Sequence, residues 1–508
     1  MGVKRYTADA DTTIVNAFKP NLRYRGTGSN MGEADVMEVF SIYGREASGS
    51  QELSRAAIKF PMTGITTDRS AGRIPASGSV SFYLRVFNAK HSKTVPKQYT
   101  LVVNPISRSW EEGVGLDLEN YKDETKGNSG ANWMSASKDA AWTLVGGDYL
   151  TSSANTYKQT FSTGLEDLEI DITRLVEQWI DGTYSNYGVG IQLTASQEAY
   201  HSGSSVGIIG LASGSVLARP NGATKSYYTK RFFARGTQYF FKKPVIEARW
   251  DSSRRDDRGD FYYSSSLAPA VDNLNKLYLY NYVRGRLTNI PGIGTGDILV
   301  SLYSGSSTPS GSELTLYNSK YNITGAYVTT GIYSASIAIT AAATPLENLF
   351  DVWHNGSGTQ YFTGSIVPNV LGASQAIATP TYYLNIKNLQ GNYRKDQMAR
   401  LRLYVRNKNW SPTIYTKANA TVESTTIHSA SYKVFRTIDG FNAIPYGTGS
   451  DLHTVLSYDV SGNYFDFDMA LLDPGYSYGF KFAFYDPVVS TWLEQPYTFK
   501  FRVEDYEY

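Results

Sequence analysis

Alternation with a period of two residues runs through this chain and limits what it can fold into. The terminal run shows it best. Tyr497, Phe499, Phe501 and Val503 fall on one side, and Thr498, Lys500, Arg502 and Glu504 on the other. Side chains of a strand point alternately to opposite faces, so such a run is a half-buried strand with one wet face, the mark of an antiparallel sheet. The pattern recurs in Ala56, Ile58 and Phe60, in Val80, Phe82, Leu84 and Val86, and in Ile298, Val300 and Leu302. It recurs again in Leu401, Leu403 and Val405, whose other face is Arg400, Arg402, Tyr404 and Arg406. Gly/Ser/Asn/Asp clusters separate these short runs, which points to sandwiches. The 40 Tyr, against 22 Phe and 8 Trp, favour strands as well. The expected fold class is all-β: tandem antiparallel β-sandwich domains, jelly-roll or Ig-like, with one short amphipathic helix.

That helix is read from Ile172, Leu175, Val176, Trp179 and Ile180, spaced i, i+3, i+4, i+7 and i+8. Asp171 is the expected N-cap and Gly182 the C-terminal stop. A length of 508 residues predicts roughly three domains. The first, 1–250, ends on an apparent last strand, Val245 to Trp250. Residues 251–261 read as a charged linker or exposed strap, where a protease is expected to cut first. Sandwiches are expected over 262–375 and 376–508. Leu277–Arg284 and Leu401–Arg406 look alike, which raises a tandem duplication of the two C-terminal segments.

Charge and composition remove several classes of function. Lys and Arg number 48 and Asp and Glu 46, a net charge of +2. A nucleic-acid-binding chain normally carries a basic excess, so no nucleic-acid partner is expected. There is no Cys, which excludes disulfides, thiolate metal sites and a cysteine nucleophile. His91, His201, His354, His428 and His453 are dispersed, so no paired metal motif exists and no cofactor is expected. The start, Met-Gly-Val-Lys-Arg-Tyr, has no signal-peptide pattern, and no run approaches 18 apolar residues. No membrane partner is expected.

Candidate chemical features each have a plain structural reading. The stretch Trp110–Glu119 holds Glu111, Glu112, Asp117 and Glu119, yet lacks the offsets of a calcium loop. It reads as a solvated loop. The alternate pairs Asp9/Asp11 and Asp466/Asp468 read as polar strand faces. Arg258-Gly-Asp260 is an adhesion-type tripeptide within the charged segment, and Asn322, Asn355 and Asn419 head sequons that read as turns. Gly-Ser pieces near Gly311 and Gly356 lack the strand–elbow–helix context of a nucleophile. No catalytic, cofactor-binding or metal-binding residues are therefore expected. Aromatic side chains remain, since Tyr and Trp faces stack on sugars and anchor protein interfaces. Trp179 belongs to the helix core. Trp133 is read as plugging a sandwich edge, with a loop position contacting glycan or protein as the alternative.

The first 250 residues resemble the DNRLRE-type β-sandwich, a domain also grouped with carbohydrate-binding modules. The resemblance is carried, in order, by Asp11-Thr-Thr-Ile-Val, Glu38-Val-Phe-Ser-Ile, Arg55-Ala-Ala-Ile-Lys-Phe60, Phe82-Tyr-Leu-Arg-Val, Ser109-Trp-Glu-Glu112, Asp171-Ile-Thr-Arg-Leu-Val-Glu-Gln-Trp179 and Asn186-Tyr-Gly-Val-Gly-Ile-Gln-Leu193. The whole chain also resembles tailed-phage virion proteins of the cyanophage type, in its Tyr/Gly/Ser/Thr richness and its acidic aromatic end, Glu504–Tyr508. These resemblances imply a non-enzymatic structural protein of a tailed-phage virion, in tail, neck, baseplate, fibre or decoration. Its partners would be other virion proteins and further copies of itself, and its location the virion, assembled in the host cytoplasm. The alternative is a carbohydrate-binding adhesin or receptor-binding protein with a host-surface glycan as partner.

Overall fold

The structure, a computed structural model, describes residues 2–44, 50–90, 95–116, 120–125, 130–202, 215–264, 269–339, 346–369, 381–410 and 424–505. These residues form an all-β chain of tandem β-sandwiches, divided into two compact units, Gly2–Asp251 and Ser252–Tyr508.

In Gly2–Asp251 two antiparallel sheets face each other. The smaller is ordered Val3–Thr7, Val245–Arg249, Ser81–Val86, Leu168–Asp171. The larger runs Tyr227–Phe233, Val36–Gly44, Ser50–Lys59, Val189–Leu193, Tyr99–Pro105, Tyr157–Phe161, and Ala10–Val15 pairs alongside Ser50–Lys59. Phe82, Leu84 and Val86 meet Ile58, Leu101, Val103, Val189 and Ile191 between them. Burying each such side chain contributes roughly 1.5–3 kcal/mol. The smaller sheet turns Arg5, Arg85, Glu169, Glu247 and Arg249 away from that core. The Glu247 carboxylate accepts from Arg5 at 2.7 Å, Arg85 at 3.1 Å and Arg249 at 2.7 Å. Burial opposes its charge, but Arg85, Arg5 and Arg249 outweigh this and hold it well below the usual carboxylate range.

The expected helix is Thr173–Ile180, with Leu175, Val176 and Trp179 buried. Ile172 occupies the N-cap position, and Asp171 instead accepts the Thr173 N–H at 2.8 Å. A second helix, Met62–Ser70, corrects the expectation of one helix. Its sequence has one well-buried apolar residue, Ile65, so no helical stripe is visible. Tertiary ties hold it. Asp68 accepts from Tyr6 at 2.8 Å and Arg73 at 3.0 Å, and Arg69 clamps Glu177 of the other helix at 2.6 and 2.7 Å.

Another correction concerns Arg55–Phe60. Ala56 and Ile58 face the sandwich core, but Arg55 and Ala57 on the opposite face are buried too. A second apolar cluster covers that face, built from Trp110, Trp133, Trp142, Ile106 and Val145. The larger sheet is therefore buried on both sides here, and its expected wet face does not exist.

In Ser252–Tyr508 the first sandwich is ordered Asn275–Tyr280, Ile332–Ile337, Asn322–Thr329, Ile298–Ser304, Leu349–His354, Gln360–Ile366. Strand Asn322–Thr329 pairs with Ile298–Ser304 up to Gly325 and with Ile332–Ile337 from Ala326 onward. A Cβ on Gly325 would lie 3.1 Å from a backbone oxygen and 3.3 Å from the Trp353 ring, so a bare glycine suits the crossing. Trp353 and Tyr333 fill the centre. The second sandwich has one sheet ordered Tyr382–Ile386, Met398–Asn407, Gly462–Asp468, Ser457–Asp459. The other is ordered Asn392–Arg394, Phe499–Glu504, Ser477–Asp486, Ala430–Arg436, Asn442–Ile444. In its core Tyr432 stacks on Phe465 and Phe480 on Phe501, and Phe467 meets Phe480 edge-on. Leu277 lies in an edge strand and Leu401 in an inner one, so the similar runs do not occupy equivalent places. The expected boundary near 375 lies outside the described residues.

The segment read as a linker is packed, a further correction. Arg254 N–H donates to the Ser457 hydroxyl at 2.9 Å, Asp256 N–H to the Tyr458 carbonyl at 3.1 Å, and the Tyr458 hydroxyl to Asp257 at 2.6 Å. On its other side Arg258 reaches Asp351 at 2.7 Å and the Tyr278 carbonyl at 3.2 Å. The strap thus ties both C-terminal sandwiches. Charge without periodicity reads as solvated, whereas here the opposite charges satisfy one another. Arg258 of the adhesion-type tripeptide is spent in this way.

Replacing Trp179 with Ala removes a buried ring from the helix–sheet contact, so the N-terminal unit should lose about 3–5 kcal/mol. Calorimetry of the full chain should show one transition moving to lower temperature. An unshifted profile would mean that the ring contributes nothing to packing.

Candidate ligand-binding site

Arg55 projects from strand Ser50–Lys59 on the face that the tryptophan cluster covers. A guanidinium buried there needs a full set of acceptors. Glu198 accepts from its Nε at 3.1 Å and Nη2 at 2.7 Å, and the Gly146 carbonyl from Nη1 at 2.9 Å. Burial opposes the charge, but Glu198 outweighs it and holds Arg55 above its usual value. Trp133 and Tyr149 lie over the guanidinium at 5.4 and 5.7 Å. Gly146 and Gly147 have φ of 83° and 105°, and a Cβ on Gly146 would lie 2.8 Å from the Trp133 ring. That turn therefore favours glycine.

Around Arg55 opens a cleft of about 650 Å³, lined also by Ser107, Arg108, Thr143, Asp148, Tyr149, Thr151, Gln192 and Arg219. Arg219 donates to the second Glu198 oxygen at 2.6 Å. Arg108 donates to the Ala141 carbonyl at 2.7 Å and lies 3.5 Å from Asp148. Asp148 is fixed by the N–H groups of Thr143 and Leu144, both at 2.9 Å. Burial pushes the Tyr149 phenol up, and its hydroxyl donates to Gly146 at 2.8 Å. Three guanidiniums thus face two carboxylates, and Arg108 and Arg219 remain partly exposed at the mouth. With hydroxyls and an amide around them, these groups suit a polar ligand rich in hydrogen-bonding groups.

The features singled out in the sequence lie elsewhere or are buried. Trp133 is fully buried, its Nε1 donating to the Ser215 carbonyl at 2.7 Å. Trp110 and Trp142 are buried beside it. Glu112 clamps Arg235 at 3.0 and 2.8 Å and accepts the Asp11 N–H at 2.8 Å, so this part of the acidic stretch is not a solvated loop. Asp117, Glu119, His91 and Asn419 lie outside the described residues. Asp9 is exposed but Asp11 is fully buried, so that pair shares no polar face. Asp466 pairs with Arg400 at 2.7 and 3.0 Å, and Asp468 caps a turn through the Ala470 N–H at 3.0 Å. Asn322 lies in a strand and Asn355 in a turn, accepting from Ser357 and Thr359. Of the cleft residues, the sequence motifs held only Arg55 and Gln192, each within a strand run. Positions 55, 108 and 219 are joined by no spacing signal.

No family model matches the chain, and no curated protein matches it. Solved structures similar to parts of it include the N-terminal Ig1-2 module of Drosophila receptor protein tyrosine phosphatase DLAR (8% identity, 46% of this chain, 91% of that chain, TM-score 0.14). They also include the titin domains z1z2 in complex with telethonin (17%, 42%, 85%, TM-score 0.14). The native conformation of Escherichia coli alpha-2-macroglobulin is another (8%, 89%, 21%, TM-score 0.15). These likenesses are faint, and the fold described above stands on the strand pairings.

Asp11 supplies a pH test. Burial is the main cause that pushes its carboxyl up to about 7, and nearby Glu112 adds to it, against a lowering hydrogen bond from the Arg235 N–H. A carboxyl raised in the native state favours the protonated fold, so its contribution is lost as pH rises from about 4 to about 7. The loss is at most about 4 kcal/mol. Asp11→Asn keeps an oxygen for the Arg235 N–H and cannot ionise. It should flatten the fall in thermal midpoint between pH 4 and 7. An unchanged pH profile would assign that fall to other groups.

Proposed function

We propose that this chain is a non-enzymatic structural protein of a tailed-phage virion that acts by assembling with other virion proteins and with copies of itself. One observation carries the reading. Each of the three sandwiches has a strand at the end of a sheet that displays an exposed aromatic. Tyr228 lies on Tyr227–Phe233, Phe362 on Gln360–Ile366 and Tyr383 on Tyr382–Ile386. Sheet ends offer backbone groups for pairing, although Phe87 and Ala89 already bond Phe233 and Arg231 at one of them, and exposed aromatics supply apolar area at little entropic cost. Together they suit interfaces whose cores are aromatic.

A second reading, carbohydrate binding, is favoured by the arginine-lined cleft. Its groups match a hydroxyl-rich ligand with a negative group.

Mass spectrometry of purified, intact particles tests the first reading. The chain should be present in a fixed ratio to the other structural proteins. Its absence from particles, with the chain present in the host lysate, would overturn the assignment. A glycan array tests the second. Binding by the full chain should fall at least tenfold in Arg108→Ala, and equal binding by both forms would exclude the cleft.

A further inference from the structure

Lys230 sits within the N-terminal sandwich on strand Tyr227–Phe233, with its side chain almost wholly buried. Its Nζ lies 4.9 Å from the Phe232 ring centre and 5.2 Å from that of Phe161. No carboxylate is recorded within ion-pair distance of it among the described residues. The Nζ instead donates to the side-chain carbonyl of Asn88 at 2.5 Å and to the backbone carbonyls of Glu166 at 2.8 Å and Gly164 at 3.0 Å. The amine is thus hydrogen-bonded to the oxygen of a carboxamide, with two phenyl rings beside it. The Asn88 backbone is fixed in turn, since its N–H donates to Asp167 Oδ1 at 2.7 Å.

We propose that Lys230 and Asn88 join in an intramolecular isopeptide bond. The Nζ lone pair attacks Cγ of Asn88, the Cγ–Nδ2 bond breaks, and Nδ2 leaves as ammonia. The balance is amine plus carboxamide to secondary amide plus ammonia, with no change of oxidation state and no co-reactant. One proton passes from Nζ to Nδ2. Asp167, whose Oδ1 accepts from the Asn88 backbone N–H, acts on Lys230 electrostatically and stabilises the positive charge that develops on Nζ during the attack.

The nucleophile must be neutral. Burial is the main cause that lowers the Lys230 amine to about 8, opposed by Asp167 and Glu166. Roughly a tenth of it is then uncharged at pH 7. That fraction suffices for a step that is not reversed once ammonia has left. The simpler alternative is a buried ammonium satisfied by three carbonyls, which predicts no change of mass. The bond would close a loop between residues 142 positions apart. It would also connect the segment after Ser81–Val86, in the smaller sheet, to Tyr227–Phe233 at the end of the larger one. This proposal does not depend on the virion assignment.

Intact mass spectrometry of the purified full chain tests it. The expected mass is about 17 Da below that of the sequence, the mass of the ammonia released in the step above. A tryptic digest should hold one species joining the peptides that contain Asn88 and Lys230. Asn88→Ala and Lys230→Arg should each show the full mass of their sequences. Asp167→Ala should slow the loss, with an unchanged far-ultraviolet circular dichroism spectrum. A wild-type chain that stays at its sequence mass after days at pH 9 overturns the proposal, as does a loss of ammonia that maps elsewhere. An Asp167→Ala chain that links at the wild-type rate overturns the role given to that carboxylate.

Discussion

A sheet buried on both faces cannot leave a charge unanswered, and the N-terminal unit is organised around that constraint. Strand Ser50–Lys59 faces the sandwich core on one side and a tryptophan cluster on the other. Arg55 projects into the second layer, where an unpaired guanidinium would cost several kcal/mol. Glu198 and the Gly146 carbonyl must therefore come to it, and this fixes the Gly146–Gly147 turn, Tyr149 and Arg219. The cleft is what remains open above this closed set.

The same economy recurs. Glu247 is answered by three arginines in the smaller sheet, and Asp351 by Arg258 and the Trp353 indole N–H. These groups contribute register more than net stability, because desolvation offsets much of the pairing energy. Such pairs resist sliding of one strand past another, since a slip of one residue would bury like charges together or leave one alone.

The all-β class and the Thr173–Ile180 helix were legible because periodicity reports a buried face directly. Phe499–Glu504 alternates as read, with Phe501 and Val503 buried and Lys500 and Arg502 exposed. Helix Met62–Ser70 was not legible, because its stability comes from Asp68 and Arg69 meeting distant partners. Arg55–Phe60 misled for a related reason: alternation reports one apolar face and is silent on what covers the other. The packed strap failed on charge, since a sequence shows that Asp256 and Arg258 are present but not that Asp351 and Tyr458 will meet them. The cleft stayed hidden because its arginines come from three separate parts of the chain. Lys230 gave no signal at all, as two of its acceptors are backbone carbonyls and the third, the Asn88 side chain, lies 142 positions away.

Strand Asn322–Thr329 belongs to both layers of its sandwich, changing partners at Gly325. Two sheets joined only by loops can part like the covers of a book, one layer peeling away while the other stays whole. Here one continuous backbone is stitched into both covers, so neither can lift without stripping hydrogen bonds from the other. Amide hydrogens on either side of Gly325 should then exchange with solvent as one cooperative block.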